Sequence, residues 1–115
     1  MIFNTEKINK ELITAENALK DGNEGKARVC ARRAVSFAIR EKFRSQGKAI
    51  HAHDLTSLTK LFVEQFSPSD EIRTILDHMS LKVGPQYING STQWPHSDIN
   101  LLKEAKWFVE AIMSE

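Results

Sequence analysis

Four cations on one stretch of the chain, Lys26, Arg33, Arg40 and Arg44, recur at intervals of seven, seven and four residues. If that stretch is helical, a turn of about 100° per residue brings all four within about 40° of one another. They would form a basic ridge, and over some eighteen residues it would run roughly 27 Å. Such a row suits tracking a phosphate backbone or clasping the phosphates of a nucleotide. Lys48, His51 and His53 follow in a basic loop and complete the candidate phosphate-binding set. Two other readings compete. The ridge could pair with Glu6, Glu16, Glu104 or Glu110 across the fold, where each exposed pair contributes little, or it could meet an acidic surface on a protein partner.

The net charge of +1 conceals an uneven distribution. Residues 26–50 hold eight basic side chains and one acid, Glu41, whereas the remainder holds eight basic and fourteen acidic ones. A positive element therefore sits within an otherwise acidic protein. Arg28 and Arg32 project differently from the ridge, beside Val29, Ile39 and Phe43, and this mixed flank is a candidate for helix packing or self-association.

Other chemistry-bearing residues are sparser. His51 and His53 lie two residues apart at a helix entrance without a third ligand in register, so no metal site is expected. His53, directly before Asp54, is expected to orient the loop or cap the next helix. Tyr87 and Trp94 could stack on a base or cover the open end of a bundle, and Trp107 is expected to serve packing or a dimer surface. Cys30, flanked by Ala27, Ala31 and Ala34, reads as a buried, inert thiol. There is no Ser-His-Asp set, glycine-rich phosphate loop or metal-protease motif, and no cofactor is expected.

Helices must position these residues. Asn4 or Thr5 can cap a first helix with Ile8, Leu12, Ala15 and Leu19 as its buried stripe, which Asp21-Gly22-Asn23 ends. The second helix, about 24–46, stops at Gly47, and Ala27, Ala31, Ala34 and Ala38 keep one face narrow so that neighbours approach closely. Asp54 is placed to cap a third helix carrying Leu55, Leu58, Leu61, Phe62 and Phe66. Ser67-Pro68 suits the start of a fourth, with Ile72, Ile75, Leu76 and Met79 inward. Residues 82–96 carry loop signals. Ser97 or Asp98 then caps a fifth helix with Ile99, Leu102, Ala105, Val109 and Ile112 inward. The expected fold is all-α, an antiparallel up-and-down bundle of about five helices.

With 115 residues the chain suits one domain, and its 41% hydrophobic and 27% charged composition belongs to a folding globule. No apolar run approaches the roughly 18 residues of a membrane span, and the first residues lack the pattern of a signal peptide. A cytoplasmic location without membrane contact is expected.

Three stretches carry a family likeness: residues 15–34, with Ala-x-x-Ala-Leu-x-x-Gly and then alanines at helical spacing; His53-Asp54-Leu55-x-x-Leu58; and Thr92-Gln93-Trp94-Pro95. In order and spacing they resemble the HEPN family, the nucleotide-binding helical domain shared by higher eukaryotes and prokaryotes. The resemblance implies a helical bundle that commonly forms a homodimer and is often encoded beside a small nucleotidyltransferase. Some such members bind nucleotides, and others are metal-independent ribonucleases of toxin type. The ribonuclease branch resembles Arg-x4-6-His, with histidine as acid or base and arginine stabilising developing negative charge. Arg44 with His51, and Arg73 with His78, fit that spacing here. The leading expectation is a non-catalytic HEPN-like module binding a nucleotide, RNA or a nucleotidyltransferase partner. A metal-independent ribonuclease, or a structural dimeric adaptor, is the alternative.

Overall fold

The computed structural model describes residues 5–48, 50–52, 54–80 and 100–113, and among them every regular element is a helix. In chain order these are α1 (Glu6–Lys20), α2 (Glu24–Ser45), α3 (Leu55–Phe66), α4 (Asp70–Ser80) and α5 (Leu101–Met113). None is long and apolar enough to cross a membrane. The all-α bundle expected from the sequence is the fold observed.

α1 and α2 form an antiparallel hairpin because the turn between them meets the needs of both helix ends. Gly22 takes a left-handed φ of +79° that glycine adopts at no steric cost. Its N–H reaches the Leu19 carbonyl, and the Asn23 N–H donates to the Ala18 carbonyl at 2.8 Å. The Asn23 side chain then accepts the Lys26 N–H at 3.0 Å, satisfying one otherwise unpaired donor of the next helix. Ala31, Ala34 and Ala38 are wholly buried, and at the far end of the hairpin the Lys7 ammonium stands over the Phe37 ring.

α1 departs from expectation in its stripe. Ile8, Ala15 and Ala18 are buried, Leu12 is half-buried, and Leu19 is 41% exposed. The narrow alanine face of α2 draws α1 in close, so the contact centres on small side chains and Leu19 falls to its edge.

α3 begins as expected: Asp54 accepts the Ser57 N–H at 2.9 Å. Leu58 and Phe62 are buried, whereas Leu61 turns outward. The junction after it differs. Ser67 does not cap α4 but closes α3, in a left-handed conformation at φ 44°, with its N–H on the Val63 carbonyl. Pro68 disfavours a helical residue before it, so Ser67 leaves the helix. Ser69 caps α4 instead, its carbonyl taking the Arg73 N–H at 3.0 Å. For α5, Ser97, Asp98 and Ile99 lie outside the described residues. Its described start is capped by Asn100, whose side chain accepts the Lys103 N–H, and Leu101 rather than Leu102 is the buried leucine there.

The core joins all five helices. Phe62 lies 5.1 Å from Phe66 and 5.8 Å from Phe108 between ring centroids, and Phe43 lies 5.3 Å from Phe66. These tilted rings bring the C-terminal end of α2 against α3 and α5. Rings at such spacings attract one another beyond the area they bury.

Candidate functional site

α2 carries the cationic residues and the structure divides them. At its N-terminal half, Lys26 and Arg33 are exposed, and neither forms an ion pair with a carboxylate among the described residues. Val29, 47% exposed, lies between them on nearly the same outward direction. At the C-terminal half the cations have structural partners. Arg40 is half-buried and donates from Nη2 to the Ala52 carbonyl at 2.8 Å, fastening the chain that leads into α3. Arg44 is held in a forked pair by Glu41, with Nε to Oε1 and Nη2 to Oε2 both at 2.6 Å. The hydrogen bonds it donates to the Glu41 carboxylate hold the Arg44 guanidinium still more firmly in its charged form.

Lys42 is the most deeply placed cation of this region. It is buried, and its ammonium donates to the Ile112 carbonyl at 3.2 Å near the C-terminal end of α5. There a positive charge complements the unsatisfied carbonyls and the negative end of the helix dipole. Lys42 and Lys48 both stand about 6 Å from the Phe66 ring centroid, so Lys48, although exposed, leans on the bundle. His51 is exposed, and His53 lies outside the described residues.

Two of the carboxylates proposed to neutralise the ridge from across the bundle pair elsewhere. Glu16 pairs with Lys106, linking α1 to α5, and its carboxyl is pulled below the ordinary range by hydrogen bonding to that ammonium. Glu104 binds His78, with Nδ1 at 2.8 and 2.9 Å from its two oxygens. Neither Glu6 nor Glu110 forms an ion pair with Lys26 or Arg33 among the described residues. Arg28 lies 4.0 Å from Glu24 on its own helix. The mixed flank suggested for self-association is not a surface, because Ile39 and Phe43 belong to the core. Cys30 is buried as expected, and burial, then a hydrogen bond with Glu11, pushes its thiol up.

The two arginine–histidine pairs are not assembled within one chain. Five residues along α4 turn Arg73 and His78 about 140° apart. Arg73 Nε donates to the Pro68 carbonyl at 3.2 Å, whereas His78 faces α5. Arg44 is engaged by Glu41, and no described hydrogen bond joins it to His51. Tyr87, Gln93 and Trp94 lie outside the described residues, and among the described residues no three metal-ligating side chains cluster. A shallow groove lined by Thr56, Thr59, Lys60, Val63, Glu64 and Ser80 shares no residue with the cationic face.

Two residues central to this arrangement were not singled out as site residues by sequence reasoning. Glu41 stands three positions before Arg44, a spacing at which helical side chains meet, so its role was visible in principle. The Ala52 carbonyl has no side-chain signature. What fold and face define together is a helical bundle with a half-open basic surface. Comparison with known families, curated proteins and solved structures finds no match for this chain.

Proposed function

We propose that this domain is a non-catalytic HEPN-like module, acting as a homodimer, that binds a nucleotide, RNA or a nucleotidyltransferase partner through the outward face of α2. The observation that carries this reading is that Lys26 and Arg33 project into solvent without a carboxylate partner among the described residues. Lys48 and His51 are the further exposed members of the set. Seven residues of helix separate Lys26 from Arg33 by about 10.5 Å, a longer reach than one triphosphate group. That spacing favours a chain of phosphates, and so RNA, over a single nucleotide.

Fluorescence anisotropy with a labelled single-stranded RNA tests this. Binding should weaken steeply with salt, because phosphate contacts release counterions. Lys26→Glu with Arg33→Glu should reduce affinity at least tenfold while the circular dichroism spectrum is retained. Unchanged affinity for RNA and for ATP in that variant would remove the α2 face from consideration.

A second reading has one observation in its favour. Glu104 fixes the His78 ring through Nδ1, which directs the other ring nitrogen away from the carboxylate, as in sites where a carboxylate orients a general base. That reading makes the domain a metal-independent ribonuclease. It requires RNA fragments to form in chelator and to disappear with His78→Ala, and intact RNA after prolonged incubation rejects it.

A further inference from the structure

Ser36 sits near the middle of α2, half-buried, and of the four residues that flank it at helical spacing three are arginines: Arg32, Arg33 and Arg40, with Ile39 in the core. Its hydroxyl differs from three others in the helices of this fold. Those of Thr14, Ser45 and Ser80 each donate to a carbonyl of their own helix, whereas among the described residues no hydrogen bond engages Ser36. Arg32, half-buried, and Arg33, exposed, form no ion pair with a carboxylate among the described residues. Arg40 gives one nitrogen, Nη2, to the Ala52 carbonyl. A guanidinium has five N–H donors, so that bond fixes the arginine without exhausting it.

We infer that Arg32, Arg33, Ser36 and Arg40 form a seat for one terminal phosphate of an RNA strand, an inference that rests on the α2 face proposed above as the RNA surface. Neighbours three and four positions apart on a helix stand about 5–6 Å apart at Cβ. Arg32 and Arg33 therefore lie one turn before the hydroxyl and Arg40 one turn after it, all within reach of a group placed over Ser36. A phosphate there would accept from the hydroxyl and from guanidinium N–H groups, bonds that an ionised acceptor strengthens and the planar fork of arginine suits. Charge selects the terminus. An internal phosphodiester carries one negative charge, whereas a monoester carries about −1.5 to −2 at neutral pH. Three guanidinium groups around one point match the monoester, while single charges in a row are matched by cations strung along the helix, as Lys26 and Arg33 are.

The seat also has a direction. The bond from Arg40 to the Ala52 carbonyl brings residues 50–52, with exposed His51, to its C-terminal side. Its other side leads toward Lys26, about 15 Å away along the helix axis, so a strand held by its end at Ser36 runs past the exposed Val29 to Lys26. End and strand are then read by different residues. Arg32 and Ser36 serve the end alone, Lys26 serves the strand, and Arg33 serves both.

Fluorescence anisotropy of the full chain tests this with internally labelled single-stranded RNAs of one sequence, bearing a 5′-phosphate, a 3′-phosphate or neither. The native protein should prefer one phosphorylated end by about tenfold, the contribution of a charge-assisted hydrogen bond. Ser36→Ala and Arg32→Gln should each remove most of that preference and leave affinity for the unphosphorylated RNA nearly unchanged. Two separate substitutions keep the test informative if one of them disturbs folding. AMP and inorganic phosphate, added as competitors, distinguish a strand end from a free phosphate, and both should compete weakly. Equal binding of the three RNAs, or a preference that survives both substitutions, would overturn the seat while leaving RNA binding through Lys26 and Arg33 standing. AMP binding as tightly as the phosphorylated RNA would overturn the strand end as the occupant. A native protein that binds none of the RNAs would overturn both readings.

Discussion

The two halves of α2 carry the same kinds of side chain and use them differently. Lys26 and Arg33 stand in solvent, whereas Arg40, Lys42 and Arg44 each hold a piece of the fold: the chain before α3, the end of α5 and the carboxylate of Glu41. Residue type does not separate the groups. Neighbours do, because the C-terminal half of α2 is where α3 and α5 converge, while its N-terminal half is flanked by the turn from α1. A cation becomes structural where a carbonyl or carboxylate arrives beside it.

The comparison breaks most sharply at Lys42. Lys42→Glu would set a buried carboxylate against the terminal carbonyls of α5, and a loss of about 3–5 kcal/mol is expected in urea unfolding. Lys42→Met keeps the packing and should cost about 1 kcal/mol. A charge-reversed protein of native stability would show that this ammonium is not tied into the fold.

Next in size is the contrast between Arg40 and Arg33. Arg40→Ala strands the Ala52 carbonyl and should cost about 1–2 kcal/mol. Arg33→Ala, on the open half, should stay within about 0.5 kcal/mol yet weaken RNA binding. Equal stability losses at the two positions would erase the division between the halves.

Glu41→Gln sharpens the comparison from the other side. Without the carboxylate charge, Arg44 is released toward solvent and the open face lengthens, so RNA affinity should rise a few-fold in anisotropy. No gain would mean that Arg44 points away from any bound polyanion.

The smallest effect concerns the Glu16–Lys106 pair. Its folded carboxyl lies below the ordinary value of 4.5, so its contribution is present above that value and fades as pH falls through the folded one. Lys106→Met should therefore flatten the acid side of a stability–pH profile slightly, and an unchanged profile would show that the pair is fully screened.

The helices, the Asp54 cap and the outward direction of Lys26 and Arg33 were legible because each depends on local spacing. Asn23 was read as part of the turn that ends α1, and the structure shows it capping α2 as well, which follows from its own position. The Ala27, Ala31, Ala34 and Ala38 face is buried as its period required. What escaped the sequence depends on residues distant along the chain. Arg40 meets a main-chain oxygen that any residue at position 52 would supply. Ile39 and Phe43 looked like a flank beside Arg28 and Arg32, but α3 and α5 close over them. Leu19 followed the expected stripe and still lies at its edge, since the inclination of α1 on α2 is set by alanine-to-alanine contact.

The hydrogen bond from Lys42 to the Ile112 carbonyl spans seventy positions of the chain. During synthesis, the apolar side of α2 therefore waits for α5 to leave the ribosome before it is fully covered. Nascent chains stalled short of residue 113 should present that side to chaperones and proteases, and the domain should acquire protection in one late step instead of helix by helix.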